Sequence, residues 1–402
     1  MKMKKPSLRI RKADLIFGFI MCSFMEPALL MQFSITDAIY LVFKTISALY
    51  VLYYVIYINH SLDSLQLGVV LFFESLVVTT ALNHGDIIHA IRTVTFNMLA
   101  CLYLDVMIQK DSNNAISILR KICVCYVLVN AALLIFFPGG FGKYIPGYSM
   151  TVDSRLNFLG RDNAFIHFFI FALCTEFLHS RKKSDTYFMI VVMTSTMLYV
   201  WSGTGVVVCV LITLFALAFQ GKRIESIFNW VCLSLAYVGI YCAIVVFRLQ
   251  NLFSGLIVDV LHKDITFTGR TDLWDMAMLY ISRKPYTGYG ITAKFLTMKS
   301  GISYSPHNLI LQILLAGGAL SLTMFILMYI VAVKKLKPQK YKYSCLLAFS
   351  VFCYLIASLT ESTMNTQYLY FIFVLAYNID LIEEHKSIAE GRETIEVVKD
   401  IL

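Results

Sequence analysis

The sequence predicts an all-α, polytopic membrane protein. Apolar residues make up 58% of the 402 residues and charged residues only 15%, whereas a soluble domain has roughly 25% charged residues. The mean hydropathy is +0.72, and apolar stretches of the about 17–25 residues that cross a bilayer as a helix recur along the whole chain. A water-soluble fold could not bury this much apolar surface, so the soluble protein classes are excluded.

About twelve candidate spans follow from these stretches. The first one has no small-residue cleavage site after it, so we expect a retained span rather than a signal peptide. The candidate spans lie near residues 14–33, 37–58, 65–82, 88–107, 119–137, 162–178, 187–201, 204–220, 227–247, 306–332, 343–360 and 366–382.

The positive charges predict the orientation. The net charge of +9 could suggest a nucleic-acid partner, but Lys and Arg cluster in short connectors, as orientation signals do. If both termini lie in the cytoplasm, the inner connectors contain most of the Lys and Arg residues. The short outer loops then contain only Lys143, Arg155 and Arg161. We therefore expect both termini in the cytoplasm and no nucleic-acid partner.

No metal or other cofactor is expected. The ten cysteines lie within apolar segments, and none has a partner histidine at metal-ligand spacing. They are interpreted as small core residues.

The chain divides into four regions. Residues 1–248 form an N-terminal bundle of about nine spans, 249–305 a long external loop, 306–384 a C-terminal group of about three spans, and 385–402 a cytoplasmic tail. The loop is too long for a simple connector. One interpretation is a solvated, partly disordered loop.

An apolar stripe in the loop favours an ordered helix instead. Pro285 would end that helix, and the glycines of PYTGYG supply a turn after it. We expect an amphipathic helix lying on the outer membrane face, because apolar side chains recur there at helical spacing: Leu273, Trp274, Ala277, Tyr280 and Ile281.

Arg270 is the first candidate for chemistry. It lies four residues before Trp274, so the two share one face of the predicted helix. The planar fork of an arginine at the start of a helix suits a phosphate or diphosphate. The alternative is that Arg270 pairs only with lipid headgroups or with Asp275.

The stretch YSPHN supplies the second candidate. Ser305 is a suitable N-cap and Pro306 fits the first helical position, which would place His307 and Asn308 in the first turn of the tenth span. A neutral imidazole there can accept a proton, while the helix end attracts phosphate. The alternative is that both residues are interfacial caps.

Four segments together resemble one family. GRTDLW (269–274), KPYTGYG (284–290), SPHNLILQILLAGG (305–318) and, more weakly, FLGRDNAF (158–165) are similar to the bacterial O-antigen ligases and the Wzy-type polymerases of O-antigen, capsule and exopolysaccharide. The similarity is strong over residues 269–318 and extends to the overall topology with its long external loop.

The resemblance implies a metal-independent glycosyltransferase of GT-C-like architecture in the bacterial cytoplasmic membrane. Its donor would be a polyprenyl-diphosphate-linked oligosaccharide. It would also contact membrane lipids, and its further partners would be a chain-length regulator and a flippase. Arg270 would hold the donor diphosphate, His307 would take the proton of the acceptor hydroxyl, and Asn308 would orient His307 or the sugar. Trp274 and Asn163 would contact substrate.

One departure from the family pattern concerns a second arginine. Members often carry a Ser-Arg pair at the outer end of a span before the long loop, and WSGTG (201–205) has Gly203 at that place. Arg161, Arg155 and Arg248 are the candidates for the missing cation.

Three functions remain open. A polymerase would move a growing glycan onto a new lipid-linked repeat unit, and a ligase would move the finished glycan to another acceptor. A transporter or flippase of lipid-linked oligosaccharide would show two related halves and broken helices near the midplane. The halves show no convincing repeat, and a flippase has no use for a base at the outer interface.

Overall fold

In the computed structural model the chain is helical almost throughout. The structure describes residues 11–58, 61–141, 156–179, 183–218, 228–249, 270–293, 296–297, 303–338 and 340–388. Within these ranges, the strands are two short antiparallel pairs: β1 (Leu156–Asn157) with β2 (Gly160–Arg161), and β3 (Leu296–Thr297) with β4 (Ser303–Tyr304). The all-α prediction is confirmed.

The helices follow the predicted spans, with one addition in the loop. They are α1 (Lys12–Phe24), α2 (Ser34–Tyr57), α3 (Ser64–Leu82), α4 (Ile87–Phe136), α5 (Phe165–His179), α6 (Lys183–Tyr199), α7 (Gly203–Ala218), α8 (Trp230–Tyr241), α9 (Arg270–Arg283), α10 (Leu309–Val333), α11 (Ser344–Ala357) and α12 (Tyr368–Tyr377). The first predicted span, 14–33, is too long, because α1 ends at Phe24 shortly before Pro27.

Several helices are long and apolar enough to cross a membrane. By length and composition, α2, α3, α4 and α10 meet that condition among the described residues. Shorter apolar helices of 10–17 residues include α11 and α12. The protein is therefore a helical membrane protein, and the number of twelve spans stays a prediction.

The centre of the bundle consists of helices that are apolar on every side. In α5 and α12 nearly all side chains are buried, which is expected of helices enclosed by other helices. α4 is two helices joined at Asp111, where the backbone leaves the helical region (φ −158°, ψ 81°). The predicted spans 88–107 and 119–137 are its two halves.

α10 is broken at Gly318, which has φ 62° and ψ −159°. The PYTGYG turn fills the break: the backbone N–H groups of Ala319 and Leu320 donate to the carbonyls of Pro285 and Tyr286 at 2.8 and 3.1 Å. In return, two N–H groups of the turn donate to carbonyls of α10 at 2.8 Å. The two glycine-containing motifs thus form one interlocked unit.

The segment 309–317 before the break lies at one end of the bundle. At its start Leu309 N–H donates to Ser358 O, which follows the last residue of α11. Near its end Ala316 O accepts from Thr79 Oγ1, close to the end of α3. The continuous tenth span predicted for residues 306–332 is therefore a separate helical segment followed by the span proper.

We call this end of the bundle the hairpin end, because the β1–β2 hairpin lies there. It comprises the connectors 25–33, 83–86, 156–164, 200–203, 284–293, 305–308 and 358–367. Hydrogen bonds between these connectors hold them together, for example from Leu29 N–H to Phe158 O and from Ser202 Oγ to Asn163 Oδ1.

α9 confirms the helix predicted in the long loop, which ends at Arg283 before Pro285. Its apolar stripe packs on protein: Leu273, Trp274 and Ala277 are buried, and α9 lies against α10. These three residues therefore face protein, and the position of α9 on the outer membrane face stays a prediction. Most of the long loop, residues 250–269 in particular, lies outside the described residues, as does most of the predicted tail.

Candidate functional site

A single carboxylate, Glu361, joins the candidate residues at the hairpin end. It lies in the connector between α11 and α12, with 17% of its side chain exposed. Its Oε1 accepts hydrogen bonds from Arg270 Nη2 at 2.6 Å and from Asn163 Nδ2 at 2.9 Å. Its Oε2 lies 3.5 Å from His307 Nδ1. Residues from three separate parts of the sequence thus meet on one side chain.

The pKa of the Glu361 carboxyl is lower than usual. Burial alone would raise this pKa, but the contacts with His307 and Arg270, and the charge of His167 more weakly, outweigh burial and lower it. Glu361 therefore stays ionised at neutral pH, and its negative charge faces Arg270 and His307.

His307 lies in a turn before α10, not in the first turn of the helix. The predicted N-cap, Ser305, is wrong: the N-cap is Asn308, whose Oδ1 accepts from Leu311 N–H at 3.0 Å. His307 has a left-handed backbone, with φ 45°, which is uncommon for a residue with a Cβ. Such outliers persist where the surrounding structure imposes them, and they concentrate at functional sites.

The two ring nitrogens of His307 have different surroundings. Nδ1 is buried without a hydrogen-bond partner, and its closest acidic atom is Glu361 Oε2. The side chain as a whole is 35% exposed, and Nε2, unlike Nδ1, is not a buried atom without a hydrogen-bond partner. The ring nitrogen that can meet a substrate is therefore Nε2.

Asn308 supports the backbone instead of facing the site. It is fully buried, and its Nδ2 donates to Leu359 O at 3.1 Å while its Oδ1 caps α10. Both ends of the amide thus hold the start of α10 against the end of α11. The structure therefore favours the interpretation of Asn308 as a helix cap, and it adds a contact to the end of α11.

Trp274 is also a supporting residue. It is completely buried, and its indole N–H donates to Pro306 O at 3.0 Å. It therefore fixes the turn that holds His307 and does not offer its ring to a substrate, contrary to the predicted role.

The arginines considered for the site have different surroundings. Arg270 contacts it directly, so the predicted alternative of pairing with Asp275 is wrong. Asp275 pairs instead with Arg248, whose guanidinium carbon lies 5.0 Å from the centre of the Trp274 ring. Arg161 ends β2, two residues before Asn163. Arg155 lies outside the described residues.

Ser202 occupies the place of the family's Ser-Arg pair and reaches the site through Asn163. Its Oγ donates to Asn163 Oδ1 at 2.8 Å and accepts from Gly205 N–H at 3.2 Å. Ser202, which directly precedes α7, therefore orients the amide of Asn163 so that its N–H₂ group faces Glu361. The weak resemblance over 158–165 thus pointed to a residue that the fold brings to the site.

Sequence reasoning missed Glu361. The available signal was its position: within LTESTMN (359–365) it is the only charged residue between the eleventh and twelfth predicted spans. With the predicted orientation, that connector lies on the same side of the membrane as His307.

Part of the chain is similar to a known protein family. Residues 188–326 match the family model described as O-antigen ligase. The matched segment contains Arg248, Arg270 and His307, whereas Asn163 and Glu361 lie outside it. No curated protein matches the chain. The match confirms the resemblance to the O-antigen ligase and Wzy-type family: residues 188–326 of this membrane protein are similar to the O-antigen ligase family.

Proposed function

We propose that the protein is a polysaccharide polymerase, a glycosyltransferase that moves a polyprenyl-diphosphate-linked glycan onto a lipid-linked repeat unit. The reaction takes place at the outer face of the bacterial cytoplasmic membrane, in a GT-C-like bundle of about twelve spans. The observation that carries the proposal is the meeting of an arginine and a histidine, Arg270 and His307, on the carboxylate of Glu361.

The charge distribution supports the outer location. The connectors at the opposite end of the bundle are rich in Lys and Arg, for example at residues 334–342, as cytoplasmic connectors are. With both termini in the cytoplasm, the hairpin end faces outward. Exported lipid-linked repeat units are found on that side.

Arg270 is suited to the donor diphosphate. Its Nη2 is bound to Glu361, and its remaining N–H groups are the donors that a diphosphate oxygen can accept from. Two other arginines are the candidates for a second cation: Arg248, which contacts Trp274 and Asp275 of α9, and Arg161, two residues before Asn163. Arg155 stays a candidate from the sequence.

His307 is suited to the acceptor. Nε2 takes the proton from the acceptor hydroxyl as its oxygen forms a bond to the anomeric carbon of the donor sugar. The bond from that carbon to the diphosphate oxygen breaks, and polyprenyl diphosphate leaves with the electron pair, stabilised by Arg270. The proton then passes from Nε2 to water, so the step needs no redox partner.

A ligase is the second candidate, and the description of the matching family favours it. Donor, site and chemistry would be the same, and only the acceptor would differ. A chain-length regulator and a flippase are the further partners that we propose for a polymerase. Loss of a polymerase and loss of a ligase cause different intermediates to accumulate.

The test is the species that accumulates in a deletion strain. Without a polymerase, lipid-linked single repeat units accumulate and no long glycan is made; without a ligase, full-length glycan remains on polyprenyl diphosphate. Complementation with the wild-type chain should restore long glycan. Unchanged glycan in the deletion strain would contradict both functions.

A further inference from the structure

We propose that Glu361 is a positioning residue of the reaction: its Oε2 accepts the Nδ1–H of His307 and so leaves Nε2 as the base, while its Oε1 orients Arg270. This inference rests on the proposed function. It adds a residue outside the matched family segment, and it assigns a separate task to each of the two carboxylate oxygens.

The division between the oxygens is visible in the contacts. Oε1 already accepts two hydrogen bonds, from Arg270 at 2.6 Å and from Asn163 at 2.9 Å. Oε2 faces His307 Nδ1. Because Oε1 already accepts two hydrogen bonds, Oε2 is the oxygen that remains to accept one from the imidazole.

The tautomer of His307 follows from this arrangement. An imidazole nitrogen beside a carboxylate carries the proton, and the other nitrogen then carries the lone pair. Nδ1 is buried and has no other hydrogen-bond partner, so the proton belongs there. Nε2, on the open side of the ring, is the nitrogen that can accept a proton from a hydroxyl.

The distance of 3.5 Å between Nδ1 and Oε2 is longer than a formed hydrogen bond. Such contacts are often long in substrate-free sites and tighten when the reactants bind. We therefore expect Nδ1 and Oε2 to come within hydrogen-bond distance when the reactants bind.

The backbone on both sides of Glu361 is fixed by cross-links to other elements. Thr360 Oγ1 is 2.8 Å from Thr204 Oγ1 at the start of α7. The hydroxyl groups of Ser362 and Ser305 form a hydrogen bond, and Ser305 lies two residues before His307. The carboxylate is therefore held relative to the histidine turn, which is the requirement for orienting a catalytic group.

The competing explanation is that Glu361 is only a structural ion pair between connectors. Both explanations predict loss of stability on mutation, so stability cannot separate them. They differ in the turnover of the folded protein, because only a positioning role affects the tautomer of His307.

The decisive variant is Glu361→Gln. Its amide oxygen still accepts from Arg270 and Asn163, but its N–H₂ then faces Nδ1, which must accept and so places the proton on Nε2. Glu361→Asp keeps a carboxylate at a shorter reach. Asp272→Asn removes an exposed carboxylate from the first turn of α9 and is the matched control.

Initial rates are measured with purified full-length protein and the lipid-linked repeat units extracted from the deletion strain, between pH 6 and 9. Glu361→Gln should lower kcat about 100-fold per folded molecule, the scale of a lost general base, with KM nearly unchanged. Raising the pH should not restore the rate, because the amide of Glu361→Gln does not titrate and still presents its N–H₂ to Nδ1. The charged or titratable groups that face Glu361 are Arg270, His307 and His167. Glu361→Asp should recover part of kcat.

Two results would overturn the inference. A kcat for folded Glu361→Gln equal to that of Asp272→Asn would make Glu361 a structural residue only. Equal loss in Glu361→Asp and Glu361→Gln, confined to the yield of folded protein, would lead to the same conclusion. If the wild-type chain itself does not turn over the repeat units, the proposed function fails, and the inference fails with it.

Discussion

The indole nitrogen of Trp274 donates a hydrogen bond to the carbonyl of Pro306 at 3.0 Å. This contact joins the helix that carries Arg270 to the turn that carries His307. The relative position of the two candidate site residues therefore depends on a completely buried side chain.

Trp274→Phe tests that dependence. The change leaves the Pro306 carbonyl without its donor, at a cost of about 1–3 kcal/mol in the free energy of unfolding, and it loosens the histidine turn. We expect a lower Tm and reduced glycan output from the same amount of membrane protein. Leu279→Ala, at an exposed position of α9, is the control and should behave like the wild type.

Arg270→Lys tests the anion site. A point charge replaces a planar fork that bonds Glu361 and offers further donors, so glycan output should fall at least tenfold although the charge is unchanged. Output is measured in the complemented deletion strain, beside Arg283→Lys at the exposed end of the same helix. Full output from Arg270→Lys would remove this arginine from the site.

Gly288→Ala tests the interlock between the PYTGYG turn and the break in α10. Gly288 has a positive φ, and a Cβ there would lie 2.6 Å from Leu315 O, a backbone atom. Strain and overpacking together should cost about 3 kcal/mol in the free energy of unfolding. Gly239→Ala, where a Cβ would have nothing within 4 Å, is the control. Equal yields of folded protein from the two variants would show that the interlock is dispensable.

The low pKa of Glu361 predicts how stability depends on pH. Because the pKa is lower in the folded than in the unfolded protein, ionised Glu361 stabilises the fold above the unfolded pKa, and this contribution is lost as the pH falls through the folded pKa. The Tm difference between wild type and Glu361→Gln in detergent should therefore be constant near neutral pH and shrink only under acid conditions. A difference that grows as the pH falls would mean that the pKa is raised instead.

Turnover should not require a divalent metal, because the step assigned to Arg270 and His307 uses only side-chain donors and acceptors. Adding EDTA to the purified protein should leave the initial rate unchanged. A loss of rate that Mg²⁺ or Mn²⁺ restores would contradict this mechanism.

The helices and two of the candidate site residues could be predicted because their signals are local. The apolar stripe of α9 and Pro285 after it gave the helix and its end. Arg270 and His307 stood out as polar groups beside apolar helices. The approach of both to one carboxylate could not be predicted, because Glu361 lies 54 residues after His307 in the chain. Hydrogen bonds from the start of α10 to Ser358 and Leu359, which follow α11, bring the two parts together.

Other features were mispredicted where two local signals compete. Ser305 and Asn308 are both good N-caps, and tertiary contacts decide between them: Leu309 N–H donates to Ser358 O, so the helix begins after Asn308. Residues 306–332, which include Gly317 and Gly318, were predicted as one continuous span. The break at Gly318 depends on the PYTGYG turn, which lies far away in the sequence.

The measurement that tests the central claim most directly is the glycan made by the deletion strain carrying His307→Ala at the membrane level of the wild type. If His307 is the base at Glu361, this strain accumulates the same lipid-linked species as the deletion strain, while its protein inserts and folds normally. Normal long glycan from His307→Ala would contradict the claim and reduce His307 to part of a structural turn.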